Sequence, residues 1–162
     1  MRRCSRRQLL VNLRTRVARK NDCRPSETHL GRLKYLCVII THMTSEAGHL
    51  AQYKDFKKGA ELEANPVQVR VESWFLATFH LIDACAARKN VHINKHQRVR
   101  HELTANPSIF GKHTEAVWMA FQDIEARLRP KFVYGKNWQK ADFQAVLKRA
   151  GQIQSVCLEV LE

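Results

Sequence analysis

The amino-acid sequence predicts an all-α fold for residues 44–162, an antiparallel bundle of four long helices and one short helix. Apolar residues recur every three or four positions in three separate segments, which is the period of an amphipathic helix. A further segment is apolar on nearly all sides and too long for a single strand. No segment combines a strand-like alternation with a hairpin turn, so the predicted architecture packs helices on helices.

The first predicted helix covers residues 46–63, and the dipeptide Asn65-Pro66 follows it. A proline pushes the residue before it out of the helical region, which indicates a turn before the next helix. Charged side chains occupy the other faces of the first helix, as expected when one face covers a core. The apolar residues on its helical period are Leu50, Tyr53, Phe56 and Ala60.

The second predicted helix is the central one. Its apolar run extends from Val67 to Ala87, where Arg88 and Lys89 interrupt it. The opening alternation of valines is typical of a strand, but the alanine-rich continuation favours a helix. A helix that is apolar on most sides needs neighbours on most sides, so this segment is predicted to lie inside the bundle.

A short helix is predicted over residues 95–105. Asn94 with Gln97 three positions later resembles a capping box, in which each side chain bonds the backbone of the other residue. Pro107 is expected to end this helix, because proline cannot continue the hydrogen-bond ladder.

Two long helices are predicted after Pro107. Thr114 is expected to cap the first of them, and Pro130 is expected to end or kink it. Asn137 is expected to cap the last helix. The apolar stripes of these two helices consist of Val117, Ala120, Phe121, Ile124 and Leu128 in the former, and of Phe143, Val146, Leu147, Ala150, Ile153, Cys157, Val160 and Leu161 in the latter.

Cysteine usage and hydropathy bear on the environment of the chain. The five cysteines are odd in number and form no CxxC pair, so neither a disulfide framework nor a thiolate zinc site is predicted. Cys85 and Cys157, which have apolar neighbours, are expected to be reduced, partly buried thiols in a cytoplasmic protein. The longest apolar run, residues 35–40, is far shorter than a membrane span.

The formal net charge of +13 is concentrated in a basic N-terminal extension, residues 1–43. Residues 1–42 hold eleven Lys and Arg against Asp22 and Glu27, a net charge of +9, which leaves +4 for the other 120 residues. Three interpretations of this extension stay open: an arm that neutralises nucleic-acid phosphates, an organelle-targeting sequence, or a start assigned too early, with Met43 as the true first residue.

Two candidate functional residues lie in the most apolar part of the chain. His80 and Asp83 are three positions apart on the central helix and therefore share a face. An unpaired polar group there costs free energy. His80 is either a buried histidine satisfied by a neighbour, or a general base or metal ligand that Asp83 orients.

A second candidate group is the segment that holds His92, His96 and His101, with Arg98 and Arg100 between them. The first two histidines would share a helical face, but the predicted helix begins after the first, and no Glu stands between them as the metalloprotease motif requires. The default interpretation is a solvated loop and helix cap. We expect no metal and no other cofactor, and no glycine-rich phosphate loop or nucleophile elbow is present.

A third candidate group contains Arg127, Arg129, Lys131 and Tyr134, near the end of the fourth predicted helix. Basic residues in a last helical turn favour the negative end of the helix dipole and need no function. Alternatively, they bind phosphate together with the arginines of the preceding group. Both interpretations stay open.

These groups together resemble the HEPN (higher eukaryote and prokaryote nucleotide-binding) superfamily. The resemblance covers roughly residues 46–160 and rests on an aromatic-rich second helix, an "H…H…R" segment and a late helix ending in Arg and Tyr. The matching residues are the string Trp74-Phe75-Leu76-Ala77-Thr78-Phe79-His80-Leu81-Ile82-Asp83-Ala84, then His92, His96 and Arg100, then Arg127 or Arg129 with Tyr134.

The resemblance implies a bundle of four to five helices that is often a homodimer. Many members are ribonucleases, and several are toxins paired with a nucleotidyltransferase-like antitoxin. Their catalytic signature is an arginine, then four to six intervening residues, then a histidine. Here Tyr134 stands at the histidine position after Arg129, and a tyrosine is a poorer acid–base group at neutral pH. His80 or His96 is then the candidate substitute.

Three functions follow as hypotheses. The favoured one is a HEPN-like module that binds a nucleotide, RNA or a partner protein without a complete catalytic motif. The second is a metal-independent ribonuclease, and the third is a structural helical dimer. The candidate catalytic residues are His80, Asp83, His96, Arg127, Arg129 and Tyr134, and the candidate nucleic-acid or phosphate ligands are Arg98, Arg100 and Lys131.

Overall fold

The computed structural model describes residues 45–135 and 137–162, and this part of the chain is helical without a strand. The all-α prediction is therefore confirmed. The interpretations of residues 1–43 lie outside the described residues. The α-helices are α1 Glu46–Glu61, α2 Val67–Arg88, α3 Val99–Ala105, α4 Thr114–Gln122, α5 Arg129–Val133 and α6 Lys140–Leu161.

Tighter and wider turns connect the shorter helices. A 3₁₀ turn, His96–Arg98, precedes α3, and two more, Pro107–Ile109 and Gly111–His113, lie between α3 and α4. Gly111 has a φ of 53°, a conformation that glycine adopts without steric cost. A π-helical segment, Asp123–Leu128, joins α4 to α5, so that one helical segment continues from the start of α4 to the end of α5.

This continuity corrects the expectation that Pro130 ends the fourth helix. Pro130 lies in the first turn of α5, where an N–H has no partner within its own helix, so its missing donor is tolerated. The α pattern changes before the proline, in the π segment, where hydrogen bonds run over five residues instead of four. The helical segment then continues to Val133.

Three predicted caps are wrong, those expected before α3, α4 and α6. The 3₁₀ turn before α3 starts after Lys95 without any side-chain cap, so Asn94 and Gln97 form no capping box. Thr114 is the first residue of α4, and its hydroxyl donates to the Gly111 carbonyl over 2.9 Å instead of accepting an amide. In both places a 3₁₀ turn leads directly into the α-helix, His96–Arg98 into α3 and Gly111–His113 into α4.

The last helix begins two residues after the position that the sequence indicated. Gln139, not Asn137, is its N-cap, and it forms a reciprocal pair with Asp142. The Gln139 backbone N–H donates to Asp142 Oδ2 over 2.9 Å. The first helix has an ordinary cap, since the Ser45 hydroxyl accepts from the Gly48 N–H at 3.1 Å.

Contacts between distant residues give the directions of the long helices. Arg70 Nε donates to the Ala60 carbonyl at 3.0 Å, and Arg88 Nε lies 3.3 Å from Glu46 Oε2, so α1 and α2 are antiparallel. The Cys85 thiol donates to the Cys157 carbonyl at 3.5 Å, while Arg88 reaches the Val160 carbonyl. Helix α6 therefore runs parallel to α2.

The central position predicted for the second helix is confirmed. Eleven of the 22 residues of α2 are buried: Val71, Trp74, Phe75, Ala77, Thr78, Leu81, Ile82, Asp83, Ala84, Cys85 and Ala86. All five stripe residues predicted for the fourth helix are buried as well, and they meet α2 through Phe121, which stacks on Phe75 at 5.6 Å. Cys85 and Cys157 are free, buried thiols, as predicted. None of the helices in the described ranges combines the length and hydropathy that a membrane crossing requires.

The core contact between Phe121 and α2 gives a stability prediction. Phe121→Ala removes a fully buried ring that touches both Phe75 and Phe79, so we expect a loss of about 3–5 kcal/mol in the free energy of unfolding. Met119→Ala is the matched control, because Met119 is on the same helix and 55% exposed, and its cost should stay within about 0.5 kcal/mol. Urea unfolding followed by circular dichroism measures both. Equal effects of the two variants would contradict the packing described.

Candidate functional site

Polar and aromatic side chains of α2 lie along one of its faces. Glu72, Phe75, Phe79 and Asp83 are separated by three or four positions, so they stack on successive turns of the helix. Each contacts residues from other elements, and together they organise two clusters. We call them the Asp83 cluster, with His49, His80 and His92, and the Phe75 cluster, with Glu72, His96, Glu125 and Arg129.

In the Asp83 cluster, His49 of α1 lies between the two residues that the sequence singled out. His49 Nε2 is 3.3 Å from Asp83 Oδ2, and His49 Nδ1 is 3.4 Å from His80 Nδ1. The second carboxylate oxygen, Oδ1, accepts the Ile93 N–H at 3.0 Å. The expectation that Asp83 orients His80 is therefore corrected: Asp83 contacts His49 directly and His80 only through His49.

Burial controls the charge of this cluster. It lowers the pKa of His49 and raises the pKa of Asp83, since removal from water penalises each charged form. Burial also lowers the pKa of His80 to about 4, with a further contribution from the neighbouring His49. All three shifts favour neutral groups. The structure thus holds His80 as an uncharged imidazole at neutral pH.

Aromatic rings enclose His80. The Phe56 ring is nearly parallel to it, at 5.5 Å and 5°, and the His49 ring stacks at 5.7 Å. Phe79 lies against it at 5.4 Å, and Phe79 also contacts His96 at 6.4 Å. Phe79 is therefore the residue through which the two clusters meet.

The Phe75 cluster brings two predicted site residues together. Arg129 donates to Glu72 from Nε at 2.5 Å and from Nη2 at 2.8 Å, and its Cζ lies 4.5 Å from the centre of the Phe75 ring. The His96 ring meets the same Phe75 ring edge-on at 5.2 Å. Glu125 holds His96 by a short contact to Nδ1. Arg129 and His96 are both partly exposed, so this cluster opens to solvent.

Tyr134 lies at the exposed end of the same helical segment. Its side chain is 77% exposed and interacts electrostatically with Arg129. The pKa of Arg129 is raised, chiefly by its hydrogen bonds to Glu72.

The other predicted cations are spread over the surface. Arg127 bonds Asp123 at 2.5 and 2.8 Å, and Lys131 bonds Asp142 at 2.6 Å. Arg98 pairs with Glu102 at 2.8 Å, whereas Arg100 lies over the Trp118 ring at 5.6 Å. They do not converge with Arg129 on one surface.

Three residues of the two clusters were missed in the sequence: His49, Glu72 and Glu125. A signal for His49 was present, because it lies on the same helical period as Tyr53 and Ala60, which are buried. Glu125 stands four residues before Arg129, the spacing of residues that share a helical face. His101, by contrast, is exposed and belongs to neither cluster.

Donor atoms suited to a metal occur in the Asp83 cluster. One atom each from His49, Asp83 and His92 lie within 4.8 Å of one another. His49 and Asp83 are buried, and His92 is exposed on the loop after α2. The Phe75 cluster offers instead a histidine, two carboxylates and an arginine, which is a set for acid–base and anion chemistry.

The fold and these clusters define an all-α protein with two polar sites on one central helix. Comparison with protein-family models, curated proteins and solved structures finds no match for this chain. The resemblance to the HEPN superfamily stays a prediction.

The pairing of Arg127 gives a pH-dependent prediction. The hydrogen bonds from Arg127 and Arg149 lower the pKa of Asp123 to about 2. A carboxylate with a lowered pKa stabilises the fold above its unfolded value near 3.8, and this contribution disappears as the pH falls through 2. Asp123→Asn should therefore cost about 1 kcal/mol at pH 7, the upper end for exposed ion pairs, and almost nothing at pH 2.

Chemical unfolding at the two pH values measures this difference. Asp55→Asn is the control, because Asp55 is an exposed carboxylate on α1, and it should have little effect at either pH. A cost of Asp123→Asn that is the same at pH 2 and pH 7 would contradict the ionic role of Asp123.

Proposed function

We propose that this chain is a helical module that binds RNA or a nucleotide, with the Phe75 cluster as the site that contacts phosphate. One observation carries the proposal: His96 and Arg129, which come from distant parts of the sequence, contact the same Phe75 ring. Arginine is the residue best suited to bidentate phosphate recognition, and a neighbouring histidine adds a second donor.

The imidazole of His96 is oriented for contact with a ligand. Glu125 takes the Nδ1 side of the ring, and Nε2 lies 3.1 Å from the exposed Gln97 side chain. A carboxylate that holds one ring nitrogen fixes the ring orientation. A ligand at Nε2 would replace the exposed Gln97 side chain there. His96 is therefore presented to solvent in a defined orientation.

The charges of the cluster set a condition on ligand binding. Glu72 already occupies the guanidinium of Arg129 with two hydrogen bonds, and Glu125 adds a second negative charge. Glu72 occupies the Nε and Nη2 edge of the guanidinium and leaves the Nη1 donors. A phosphate group that binds the Nε and Nη2 edge in the bidentate manner must displace Glu72. Glu72 thus competes with the ligand, and its removal should strengthen binding.

A metal-independent ribonuclease is the second candidate function, and the same juxtaposition favours it. The sequence lacks a histidine at the expected distance after Arg129, but the fold brings His96 and Arg129 into contact with the same Phe75 ring. Histidine is the usual acid–base group for proton transfer near neutral pH. His96 would take the proton of the RNA 2′-hydroxyl, whose oxygen attacks the adjacent phosphorus and forms a 2′,3′-cyclic phosphate. The P–O bond to the 5′-oxygen of the next nucleotide breaks, and that oxygen leaves with a proton from water, while Arg129 stabilises the charge on the phosphorus oxygens. Dimerisation and pairing with a nucleotidyltransferase-like antitoxin stay predictions of the resemblance.

Binding and cleavage of labelled single-stranded RNA in the presence of EDTA test the proposal. Arg129→Ala should weaken binding about 10- to 100-fold, the value of one or two hydrogen bonds to a charged group. Glu72→Gln should strengthen binding, since the competing charge is gone. Arg127→Ala is the matched control. Arg127 lies on the same helical segment as Arg129 and, like Arg129, is paired with an acidic residue. This substitution should change the RNA affinity by less than about threefold.

The outcomes separate the two candidate functions. Binding without cleavage, lost with Arg129→Ala, supports the binding module. Cleavage by the wild type and by His101→Ala, but not by His96→Ala, supports the ribonuclease. If Arg129→Ala, shown to be folded by circular dichroism, binds RNA as tightly as Arg127→Ala does, the Phe75 cluster is not the site. Weaker binding by Glu72→Gln would contradict the competition between Glu72 and phosphate.

A further inference from the structure

The loop that follows α2 is tied down on both sides of His92. The Val91 N–H donates to the Ala86 carbonyl at 3.0 Å, and the Ile93 N–H donates to Asp83 Oδ1 at 3.0 Å. Asn90 has a φ of 57°, the left-handed conformation that reverses the chain at a helix end. The chain thus folds back over α2 with His92 between two fixed residues, beside His49 and Asp83.

The donor atoms of these three residues are close together, and one pair of them already has the separation of neighbouring metal ligands. In a tetrahedral site with bonds of about 2.1 Å, neighbouring ligand atoms lie roughly 3.4 Å apart. His49 Nε2 and Asp83 Oδ2 are 3.3 Å apart, which matches that separation. All three atoms lie within 4.8 Å of one another, so a movement of the exposed His92 side chain would close the two sides of the triangle that end at His92.

The surroundings provide partners for the remaining ligand atoms. A histidine that binds a metal usually donates its other ring N–H to an acceptor, which fixes its tautomer. His49 Nδ1 lies 3.4 Å from His80 Nδ1, and Phe56 and Phe79 hold the His80 ring in place. The other carboxylate oxygen of Asp83, Oδ1, accepts the Ile93 N–H. Both buried ligands are therefore oriented by a second layer of contacts.

We propose that His49, Asp83 and His92 bind one divalent transition-metal ion, with His80 as the positioning residue that accepts the His49 N–H. Two imidazoles and one carboxylate are a donor set that suits Zn²⁺, Co²⁺ and similar ions. Three protein ligands leave at least one coordination position, and the exposure of His92 places that position towards solvent. This site is separate from the Phe75 cluster, and the proposal does not depend on RNA binding.

Isothermal titration of the EDTA-treated full chain with Zn²⁺ tests the proposal, with Co²⁺ absorption as a second readout. The chain has eight histidines and five cysteines, so matched variants are needed to assign any binding. His92→Ala removes an exposed ligand, and His101→Ala removes an equally exposed histidine outside the cluster. We expect one tight Zn²⁺ per chain in the wild type and in His101→Ala. Affinity should fall at least about tenfold in His92→Ala, since even the loss of an outer-layer partner costs that much.

His80→Phe tests the positioning residue separately. A phenyl ring preserves the stacking on Phe56 but removes the acceptor for His49, so Zn²⁺ affinity should fall about 10- to 100-fold while the metal-free Tm stays close to wild type. Zn²⁺ should also raise the Tm of the wild type but not of His92→Ala. Equal Zn²⁺ affinity and equal Co²⁺ absorption in His92→Ala and His101→Ala would overturn the site. Absence of tight Zn²⁺ binding by the wild type would leave His49 and Asp83 as a hydrogen-bonded pair without a metal, and would overturn it too.

Discussion

The arrangement depends on one constraint: the central helix α2 carries polar side chains where water is excluded. Asp83 and Thr78 are both almost fully buried. A polar group without a hydrogen-bond partner at such depth usually destabilises the fold by several kcal/mol. Thr78 meets this constraint locally, since its hydroxyl donates to the Trp74 and Phe75 carbonyls. Asp83 needs other elements, and it obtains them from α1 through His49 and from the following loop through the Ile93 N–H. Satisfaction of Asp83 thus ties together three parts of the chain.

The regular helices were predictable from the sequence because their signal is repeated. The stripe from Val117 to Leu128 contains five apolar positions. The helical period can therefore still be recognised if one of these positions is misinterpreted. The helix caps were not predictable from the sequence, because each cap depends on only one or two residues. Thr114 has the chemistry of an N-cap, but the 3₁₀ turn at Gly111–His113 starts the helical backbone before it. Asn137 lost its role to Gln139, a residue type that rarely caps a helix, because Asp142 completes the pair.

The site was predictable only in part, for a related reason. Single residues with reactive side chains are visible in a sequence, and His96 and Arg129 were recognised as candidates. Their convergence on Phe75 depends on how α2 crosses the helical segment that carries Arg129, and no local pattern contains that information. The same holds for His49 and Asp83, which come from different helices. Arg127 illustrates the opposite error, since its proximity to Arg129 in the sequence does not place it on the same surface.

Residues two positions apart, such as Arg127 and Arg129, lie on different faces of any helix, and the π segment Asp123–Leu128 adds a shift between Asp123 and Arg129. Each wider turn holds about one more residue than an α turn, so the segment shifts the phase of every side chain that follows by about 100°. Asp123 lies before most of this shift and bonds Arg149 of α6, whereas Arg129 lies after it and bonds Glu72 of α2. A single residue removed from this segment would turn Arg129 away from the histidine while the upstream half of the helix kept its packing. The extra residue in the turn thus sets which side of the helical segment carries Arg129 towards α2.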